Sequence, residues 1–220
     1  MKNRRKRIPA AVVICAAVLV VLAAGALLFL GRRRGKAEGV VLEPLSQYSA
    51  DSVPCYRQKD PVWAKDKLGD SSYTMSGSGC LTSCIAAALT AQLRAEDPSA
   101  EALTPGELNR LFSEAGVYNA SGDIVWGKIR EALPDTEVLV ASGVDSREID
   151  QALSEGKYPA VRVRVHGSGA WHWVLLAGTD ENGYLCMDPL NGDETLVPLS
   201  EHGGVVYSMR TVSWKGQGGF

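Results

Sequence analysis

The sequence predicts an α+β fold, with helices in the first part of the folded domain and an antiparallel sheet in the second. Apolar residues recur at helical spacing after Cys80, and capping signals open further helical segments. From Ala160 onward the apolar pattern changes to a period of two, which is typical of strands. Helices followed by strands, without regular alternation of the two, indicate an α+β arrangement.

The first predicted helix begins at Cys80 and is expected to end near Leu93. Gly77 and Gly79 permit a sharp turn just before it. The apolar residues that then recur at helical spacing are Leu81, Cys84, Ile85, Ala88 and Leu89. Cys80 therefore lies at a helix amino terminus, where unpaired N–H groups and the helix dipole stabilise a thiolate.

Three further helices are predicted from their ends. A capping box with proline at the first helical position opens the segment Thr104–Gly116, and the final glycine provides the stop. The first residue of Asp123–Leu133 is expected to cap a short helix that ends before a proline. The third helix lies within Asp145–Gly156, where Asp145 or Ser146 is the expected cap.

The second part of the domain carries strand signals. Alternation over Ala160–His166 predicts a half-exposed strand, and the apolar run Trp171–Thr179 predicts a more buried one. Asp180–Gly183 is a hairpin-turn signal, so Tyr184–Asp188 is the expected partner strand. Val205–Val212 closes the predicted sheet.

The amino-terminal part of the chain predicts a membrane anchor. Residues 1–7 are basic and residues 8–30 are almost continuously apolar. As a helix this apolar segment spans roughly 34 Å, about the hydrocarbon core of a bilayer. A cleaved signal peptide is the competing interpretation, but its apolar region would be shorter and a small-x-small cleavage site should follow. Residues 31–52 are predicted to form a juxtamembrane tether, 53–214 the folded domain and 215–220 a flexible tail.

The distribution of charge predicts the orientation of the anchor. Five basic residues precede the apolar segment and four follow it, which favours an N-in, C-out topology. Residues 37–220 contain 14 basic and 25 acidic residues, a net charge of −11. A domain this acidic is a poor candidate for binding nucleic acid or an anionic membrane face, and we expect it outside the cytoplasm.

Cys80, His172 and Asp188 supply a nucleophile, a base and an orienting carboxylate, in that chain order. His172 lies near the start of one predicted strand and Asp188 near the end of its partner, so the hairpin would make them neighbours. Each has a simpler interpretation when taken alone. Cys80 fits a small core residue, His172 a hydrogen-bonded core histidine and Asp188 a turn residue before a proline.

Other residues compete for two of these roles. His166 ends an alternating strand before Gly-Ser-Gly and is a rival base, although we expect it at the surface. His202 lies in a predicted turn and is a weaker candidate. Asn191 is the fallback for the third member of the triad.

Residues upstream of Cys80 resemble a known family in their order and approximate spacing. The matching positions before the helix are Gln58, Asp60, Trp63, Gly69, Gly79 and Cys80. The later matching segments are Leu103–Leu108, Gly116–Trp126, His172–Gly178 and Asp188–Pro189. From about Val53 to Val212 the chain is similar to the papain-like cysteine peptidases related to the bacteriocin-leader (double-glycine) peptidases, the thirty-ninth family of cysteine peptidases, and looks most like its stand-alone branch.

The resemblance implies a papain-like fold, in which the nucleophile helix packs on an antiparallel sheet. It implies a peptide or protein substrate and no cofactor, with Cys80 as nucleophile, His172 as base and Asp188 fixing the tautomer. The role of Gln58 is carried over from the family. Its side-chain amide would hold the oxyanion together with the Cys80 backbone N–H.

A metal site is an alternative use of the same residues. Cys80 and Cys84 share a helical face and would form one together with His172. No further Cys-x-x-Cys or His-x-x-x-His spacing accompanies them, so we expect no metal.

The remaining cysteines leave the disulfide state open. Cys15 lies within the apolar segment, so Cys55, Cys84 and Cys186 allow at most one pair. We expect separate buried thiols. If a pair does form, Cys55 with Cys186 is the favoured one, because both lie in segments that approach the predicted cleft.

These features predict a membrane-anchored extracytoplasmic thiol hydrolase, most simply a cysteine endopeptidase. One alternative is a catalytically inactive module of the same fold that binds a peptide or a partner. Another is a papain-like hydrolase or transpeptidase of cell-wall peptides, because the triad chemistry is shared and only the acceptor or substrate groove differs.

Overall fold

A computed structural model of the chain describes residues 38–50 and 52–216. The predicted basic amino terminus, the predicted membrane anchor (residues 8–30) and residues 217–220 lie outside this part of the chain. Within the described ranges, no helix has both the length and the apolar character needed to cross a membrane. Residues from Gly39 onward belong to one folded unit.

Helices come first and strands mainly afterwards, which confirms the predicted α+β class. The helices are α1 (Met75–Ser78), α2 (Cys80–Glu96), α3 (Pro105–Glu114), α4 (Ile129–Ala132) and α5 (Ser146–Ser154). The strands are β1 (Val40–Val41), β2 (Thr136–Val140), β3 (Ala160–Arg164), β4 (Trp171–Asp180), β5 (Gly183–Met187), β6 (Val197–Pro198), β7 (Val205–Val206) and β8 (Ser208–Trp214). Short 3-10 turns lie at Trp126–Lys128, Val165–Gly167 and Leu199–His202.

Six of the strands form one antiparallel sheet in the order β2-β8-β3-β4-β5-β6. β4 and β5 form the predicted hairpin, which places Leu176 opposite Cys186. On its other side β4 pairs with β3, so that Val163 lies opposite His172. The hairpin brings the start of β4 close to the end of β5, where the two predicted triad residues lie.

Helix α2 is the central helix of the domain and is buried on nearly all sides. Cys84 and Ala88 belong to a core cluster that packs against the sheet. Ile85 and Leu89 face the other way and pack with Phe112 of α3. Full burial of each large apolar side chain stabilises the fold by about 1.5–3 kcal/mol relative to exposure. The helix that starts at Cys80 therefore packs on an antiparallel sheet, as predicted.

The predicted starts of α3 and α5 are confirmed. The Thr104 side chain accepts from the Glu107 backbone N–H, and the Glu107 carboxylate accepts from the Thr104 backbone N–H. Gly116, with φ of +63°, follows the end of α3 as the predicted stop. Asp145 caps α5 through its carboxylate, which accepts a first-turn backbone N–H.

The prediction for Asp123–Leu133 is confirmed for a short helix that ends before Pro134, and wrong for its cap. The Asp123 carboxylate accepts from the Asn119 side chain at 3.3 Å and caps no helix. A 3-10 turn instead leads into α4, and strand β2 follows without a local signal that predicts it. β2 pairs with β8, more than seventy residues later in the chain, and a partner so distant leaves no mark in the local sequence pattern.

Residues 39–50, the amino-terminal arm, differ from the predicted tether because they pack on the folded domain. β1 pairs with β7, and the Leu45 backbone N–H donates to Asp150 Oδ2 at 2.6 Å. Tyr48 N donates to Thr179 Oγ1 at 2.8 Å, and the Thr179 backbone N–H donates back to the Tyr48 carbonyl at 3.0 Å. Main-chain hydrogen bonds hold most of the arm, and these depend little on side-chain type. Apolar periodicity therefore could not reveal it.

Candidate active site

Cys80 is the first residue of α2, and Gly79 makes its position possible. A Cβ at Gly79 would lie 2.6 Å from the Met75 carbonyl oxygen and 2.8 Å from its Cα, so a side chain does not fit this turn. Cys80 is partly exposed, whereas Cys84, one helical turn later, is fully buried. The Cys80 thiol thus lies at a helix amino terminus, where free N–H groups and the dipole favour a negative sulfur.

His172 and Asp188 meet across the β4–β5 hairpin. His172 Nε2 lies 2.6 Å from Asp188 Oδ1, and the same oxygen accepts from the Leu190 backbone N–H at 2.8 Å. His172 is buried, and its imidazole lies close enough to the Cys80 side chain for the sulfur to raise the pKa of His172. Because Nε2 is occupied by Asp188, Nδ1 is the nitrogen left for the sulfur. The structure therefore brings all three predicted triad residues together.

The environment of His172 keeps its imidazole protonated. Burial by itself would lower the pKa of His172, because it disfavours the charged ring. The hydrogen bonds and negative charges of Asp188 and Cys80 outweigh burial and raise the pKa of His172 to about 9. At neutral pH the site therefore holds an imidazolium next to the Cys80 sulfur.

His202 is a functional candidate that sequence reasoning ranked too low. It is 2% exposed, and its Nε2 lies 3.4 Å from Asp188 Oδ2. This distance is that of a charge contact rather than a well-aligned hydrogen bond. The His202 and His172 rings are 5.9 Å apart, so one carboxylate faces two imidazoles. Two glycines with positive φ follow His202 directly, and this tight stop is the one local signal that could have indicated an ordered position.

Asp188 stays ionised at physiological pH. Burial would raise the pKa of the Asp188 carboxyl. Its contacts with His172 and His202, together with the Leu190 N–H, outweigh burial and hold the pKa well below its usual range. Asp188 is therefore a fixed negative charge and hydrogen-bond acceptor in the site.

Gln58 contacts both segments that carry the triad. Its backbone N–H donates to the Pro189 carbonyl at 3.0 Å, next to Asp188. Its side-chain Nε2 donates to the Ser76 carbonyl at 2.7 Å, four residues before Cys80. An amide nitrogen carries two protons, so one N–H of the buried Gln58 side chain is not used by this bond.

His166 and Asn191 do not join the triad. His166 is exposed and lies in a turn with φ of 47°. The Asn191 amide nitrogen donates to the Thr195 carbonyl at 2.9 Å, and its oxygen accepts from the Asp193 backbone N–H at 3.1 Å. Asn191 thus stabilises its own turn, and the structure places Asp188 rather than Asn191 against His172.

The four described cysteines are free thiols, so the favoured pair of Cys55 with Cys186 is not formed. Cys186 Sγ donates to the Val197 carbonyl at 3.4 Å, and Cys84 Sγ donates to the Trp173 carbonyl at 3.5 Å. Burial, reinforced by nearby negative charge, raises the pKa of both Cys84 and Cys186 well above the ordinary thiol value. These two cysteines are therefore unreactive core residues.

A cavity of about 550 Å³ lies elsewhere, between α5 and strands β2 and β8. Its lining includes Glu137, Leu139, Gln151 and Thr211, and none of the triad residues. It contains no thiol or histidine that could act as nucleophile or base, so its volume alone does not indicate a reaction centre. Within the described ranges, no group of three or more His, Cys, Asp or Glu side chains could hold a metal ion.

Comparison with known proteins gives little beyond this geometry. No family model and no curated protein matches the chain. A crystal structure that is similar belongs to a Bacillus anthracis protein provisionally assigned as a C39-like peptidase. The two chains are 14% identical with a TM-score of 0.44, over 80% of this chain and 97% of that chain. A similarity at this level is too weak to support a functional assignment. The function proposed below therefore rests on the positions and contacts of the side chains.

Proposed function

We propose that this protein is a cysteine hydrolase that cleaves peptide bonds, with Cys80 as nucleophile, His172 as acid–base partner and Asp188 as orienting carboxylate. The observation that carries the proposal is the position of the His172 imidazole, which lies 2.6 Å from Asp188 Oδ1 and beside the Cys80 side chain. Each residue alone has an ordinary structural explanation. A buried imidazole that links a helix-terminal thiol to a carboxylate is what nucleophilic catalysis requires.

In the first half of the reaction the Cys80 sulfur attacks the substrate carbonyl carbon and forms a C–S bond. The C–N bond then breaks as the His172 imidazolium gives its proton to the leaving amine. In the second half His172 takes a proton from water, whose oxygen attacks the thioester carbon. The C–S bond breaks, and the carboxylic acid leaves. Asp188 remains ionised throughout and holds the ring orientation.

We assign the oxyanion to two donors, the backbone N–H of Cys80 and the unused side-chain N–H of Gln58. The bond from Gln58 Nε2 to the Ser76 carbonyl supports this assignment, because it fixes the amide beside the loop that precedes the nucleophile. A fixed donor costs no reorganisation when charge develops on the carbonyl oxygen. A papain-like fold fits the proposal, since α2 packs on an antiparallel sheet and carries the nucleophile at its first residue.

Thiol alkylation tests the catalytic proposal without knowledge of the substrate. The full-length chain is treated with iodoacetamide at about pH 6, where an ordinary thiol is almost wholly protonated and reacts slowly. We expect Cys80 to be labelled at least about tenfold faster than Cys55, as measured by mass spectrometry. Burial and the charge of Glu194 raise the pKa of Cys55, which makes it a suitable reference thiol.

The matched variants are Cys80→Ala, which should abolish the fast labelling, and Cys55→Ala, which should retain it. Slow labelling of Cys80 at the rate of Cys55 contradicts an activated thiolate. A peptide library incubated with the chain and with Cys80→Ala then tests the reaction itself, with products identified by mass spectrometry. Cleavage that persists in Cys80→Ala would exclude the proposed nucleophile.

We further propose that residues 8–30 anchor the chain in a membrane and that the catalytic domain lies outside the cytoplasm. The length of the apolar segment and the charges on both sides of it support this topology. Protease added to intact cells is expected to remove the domain. Protection in intact cells, with digestion only after lysis, would reverse the orientation.

A further inference from the structure

One face of the sheet carries arginines and tryptophans on both sides of the catalytic histidine. In the register of β3 and β4, Arg162 lies opposite Trp173 and Arg164 lies opposite Trp171. Residues opposite each other in an antiparallel pair point to the same face, so these four side chains share one face. His172 stands between the two tryptophans in β4 and points to the opposite face. The shared face thus begins one residue away from the proposed base.

Cation–π contacts hold these arginines against the rings. The Arg164 guanidinium lies 3.5 Å from the centroid of the Trp171 ring, and that of Arg162 lies 4.3 Å from the same ring. Arg210 of β8 lies 5.4 Å from the Trp126 ring. The attraction of a guanidinium to an aromatic face keeps each arginine in place without a counter-ion. The arginine–tryptophan patch consists of Arg162, Arg164, Arg210, Trp126, Trp171 and Trp173.

The positive charge of this patch is not neutralised by the protein itself. Among the described residues no carboxylate forms an ion pair with Arg162, Arg164 or Arg210, whereas Arg57 and Arg110 are both paired. The Nε atoms of Arg162 and Arg210 are buried and have no hydrogen-bond partner among the described residues. Burial and the charge of Arg162 lower the pKa of Arg210, so the two guanidinium groups repel each other.

A shortage of carboxylates does not explain this arrangement. Residues 37–220 include 25 acidic and only 14 basic residues, and yet three arginines stand together without an acidic partner. Like charges this close raise the energy of the free protein, and a bound anion would relieve the repulsion. The unpaired positive charge of the patch therefore favours binding of a negatively charged ligand.

We propose that the arginine–tryptophan patch binds carboxylate side chains of the peptide substrate, as an exosite next to the catalytic centre. The proposal rests on the proposed function, because it places the acidic residues on the same chain as the bond that Cys80 cleaves. The planar guanidinium fork matches a carboxylate with two parallel hydrogen bonds. The half-exposed Trp171 ring offers an apolar surface for the stem of a glutamate side chain.

The position of the patch favours a peptide over a detached ligand. Trp171 and Trp173 directly flank His172, and Trp171 is the first residue of β4, so the patch begins at the same end of the strand as the proposed base. An extended peptide advances about 3.3 Å per residue, so acidic residues a few positions from the scissile bond would reach the patch. The remaining surface is strongly acidic and would repel such a substrate elsewhere.

Peptide binding to the full-length Cys80→Ala variant tests this exosite separately from catalysis. The probes are a short glutamate-rich peptide and its glutamine counterpart of the same length, with binding followed by tryptophan fluorescence and by anisotropy of the labelled peptides. We expect the acidic peptide to bind at least about tenfold more tightly, with the preference fading at high salt. Arg162→Gln with Arg164→Gln should remove most of this preference.

Arg147→Gln is the matched control, because Arg147 is an exposed arginine at the start of α5, away from β3 and β4. It should leave the preference unchanged. Arg162→Lys with Arg164→Lys keeps the charge but loses the fork, and an intermediate preference is expected. Retained fast alkylation of residue 80 in the corresponding arginine variants with Cys80 intact would show that they fold.

Three results would overturn the exosite. They are equal binding of the two peptides, equal losses in Arg147→Gln and in the patch variants, and tighter binding of a phosphate polymer than of a peptide with the same charge. Failure of the exosite and failure of the proposed function are distinguishable. If the acidic peptide binds but is not cleaved, the exosite proposal stands and the peptidase proposal fails. If both peptides are cleaved with equal kcat/KM, the peptidase proposal stands and the exosite proposal fails.

Discussion

Two aspartates with little solvent exposure, Asp188 and Asp150, serve different purposes in this fold. Asp150 is 6% exposed, and its two oxygens accept from the Tyr184 hydroxyl and the Leu45 backbone N–H, each at 2.6 Å. Asp188 is also largely buried, but its oxygens face two imidazoles and one backbone N–H. Both carboxylates are thus satisfied, and burial alone does not separate them.

The chemistry of the partners separates the two sites. Burial, followed by the hydrogen bond to Asp150, raises the pKa of Tyr184 above its ordinary value, so that this partner does not exchange protons near neutral pH. Asp150 therefore has a structural role, which is to hold the amino-terminal arm on the folded domain. Asp188 instead holds an imidazole that lies beside a thiol, and this difference carries the functional assignment.

The largest expected effect comes from removing the charge of each aspartate in turn. Asp188→Asn should lower kcat/KM on a cleaved peptide by about 10⁴-fold, because His172 loses the acceptor that fixes its tautomer. Asp150→Asn should change kcat/KM by less than about threefold and lower the free energy of unfolding by about 1–3 kcal/mol. Steady-state kinetics and urea unfolding of both variants measure this. Similar losses of kcat/KM in the two variants would contradict a catalytic role for Asp188 and a purely structural role for Asp150.

The pH dependence of stability should also differ between the two sites. The pKa of His172, raised to about 9, exceeds the ordinary value of 6.5, so its stabilising contribution is complete below pH 6.5 and is lost as pH rises through 9. The amount is on the order of 3 kcal/mol. Urea unfolding between pH 6 and pH 8, below the range in which the cysteines ionise in the unfolded chain, should show the first part of this decline in the unmodified chain and a much smaller decline in Asp188→Asn.

Asp150→Asn is the control for this measurement, because Tyr184 and a backbone N–H do not titrate in the same range. The decline in its free energy of unfolding with rising pH should match that of the unmodified chain. On the acid side the pKa of Asp188 lies below its usual range, so the same ion pair contributes stability that is lost as pH falls below about 4. A pH-independent free energy of unfolding from pH 6 to pH 8 would contradict a protonated His172 at neutral pH.

Gln58 lies beside Asp188, and its main chain and side chain have separate roles. The bond from its backbone N–H to the Pro189 carbonyl survives substitution of the side chain. Gln58→Ala should therefore leave the fold intact and lower kcat by about 100-fold, through loss of an oxyanion donor. Gln151→Ala is a matched control, since the exposed Gln151 only bonds Glu155. An unchanged kcat in Gln58→Ala would make Gln58 a loop residue only.

The smallest expected effect concerns the second oxygen of Asp188. His202→Leu should lower kcat by about tenfold, because the carboxylate loses one of the three groups that hold it. His202→Gln should recover part of the rate by restoring an N–H. Added to Asp188→Asn, the His202→Leu change should cost nothing further, a result that a purely structural role does not predict.

Cys80 alkylation provides a second measure for the His202 variants, because its rate reports the thiolate without any substrate. The control is His166→Leu at an exposed turn, which should change neither rate. Full additivity of His202→Leu and Asp188→Asn would show that His202 acts on packing and not through Asp188.

Sequence reasoning reached those parts of the site that depend on local pattern. Gly79 before an apolar helix predicted that Cys80 lies at a helix start. The hairpin turn between two strands predicted that His172 and Asp188 lie on paired strands. The antiparallel register then requires that the start of β4 and the end of β5 are neighbours. Helical spacing and a period of two are local properties, and so the fold class and most element bounds were predictable.

Tertiary structure decided the features whose partners are distant in sequence. Strand β2 and the arm at Leu45 each depend on a segment far along the chain, and no local pattern encodes that pairing. His202 is near Asp188 in sequence, but no local pattern indicates that the turn at Leu199–His202 folds back onto the carboxylate. The same holds for the unpaired arginines, since a charge is unpaired only with respect to its neighbours in space. By itself the sequence determined the α+β class and the order of nucleophile, base and carboxylate. Only the packed structure decided which groups face Asp188, because hydrogen bonds and charge contacts act over a few ångströms of space, whatever the separation along the chain.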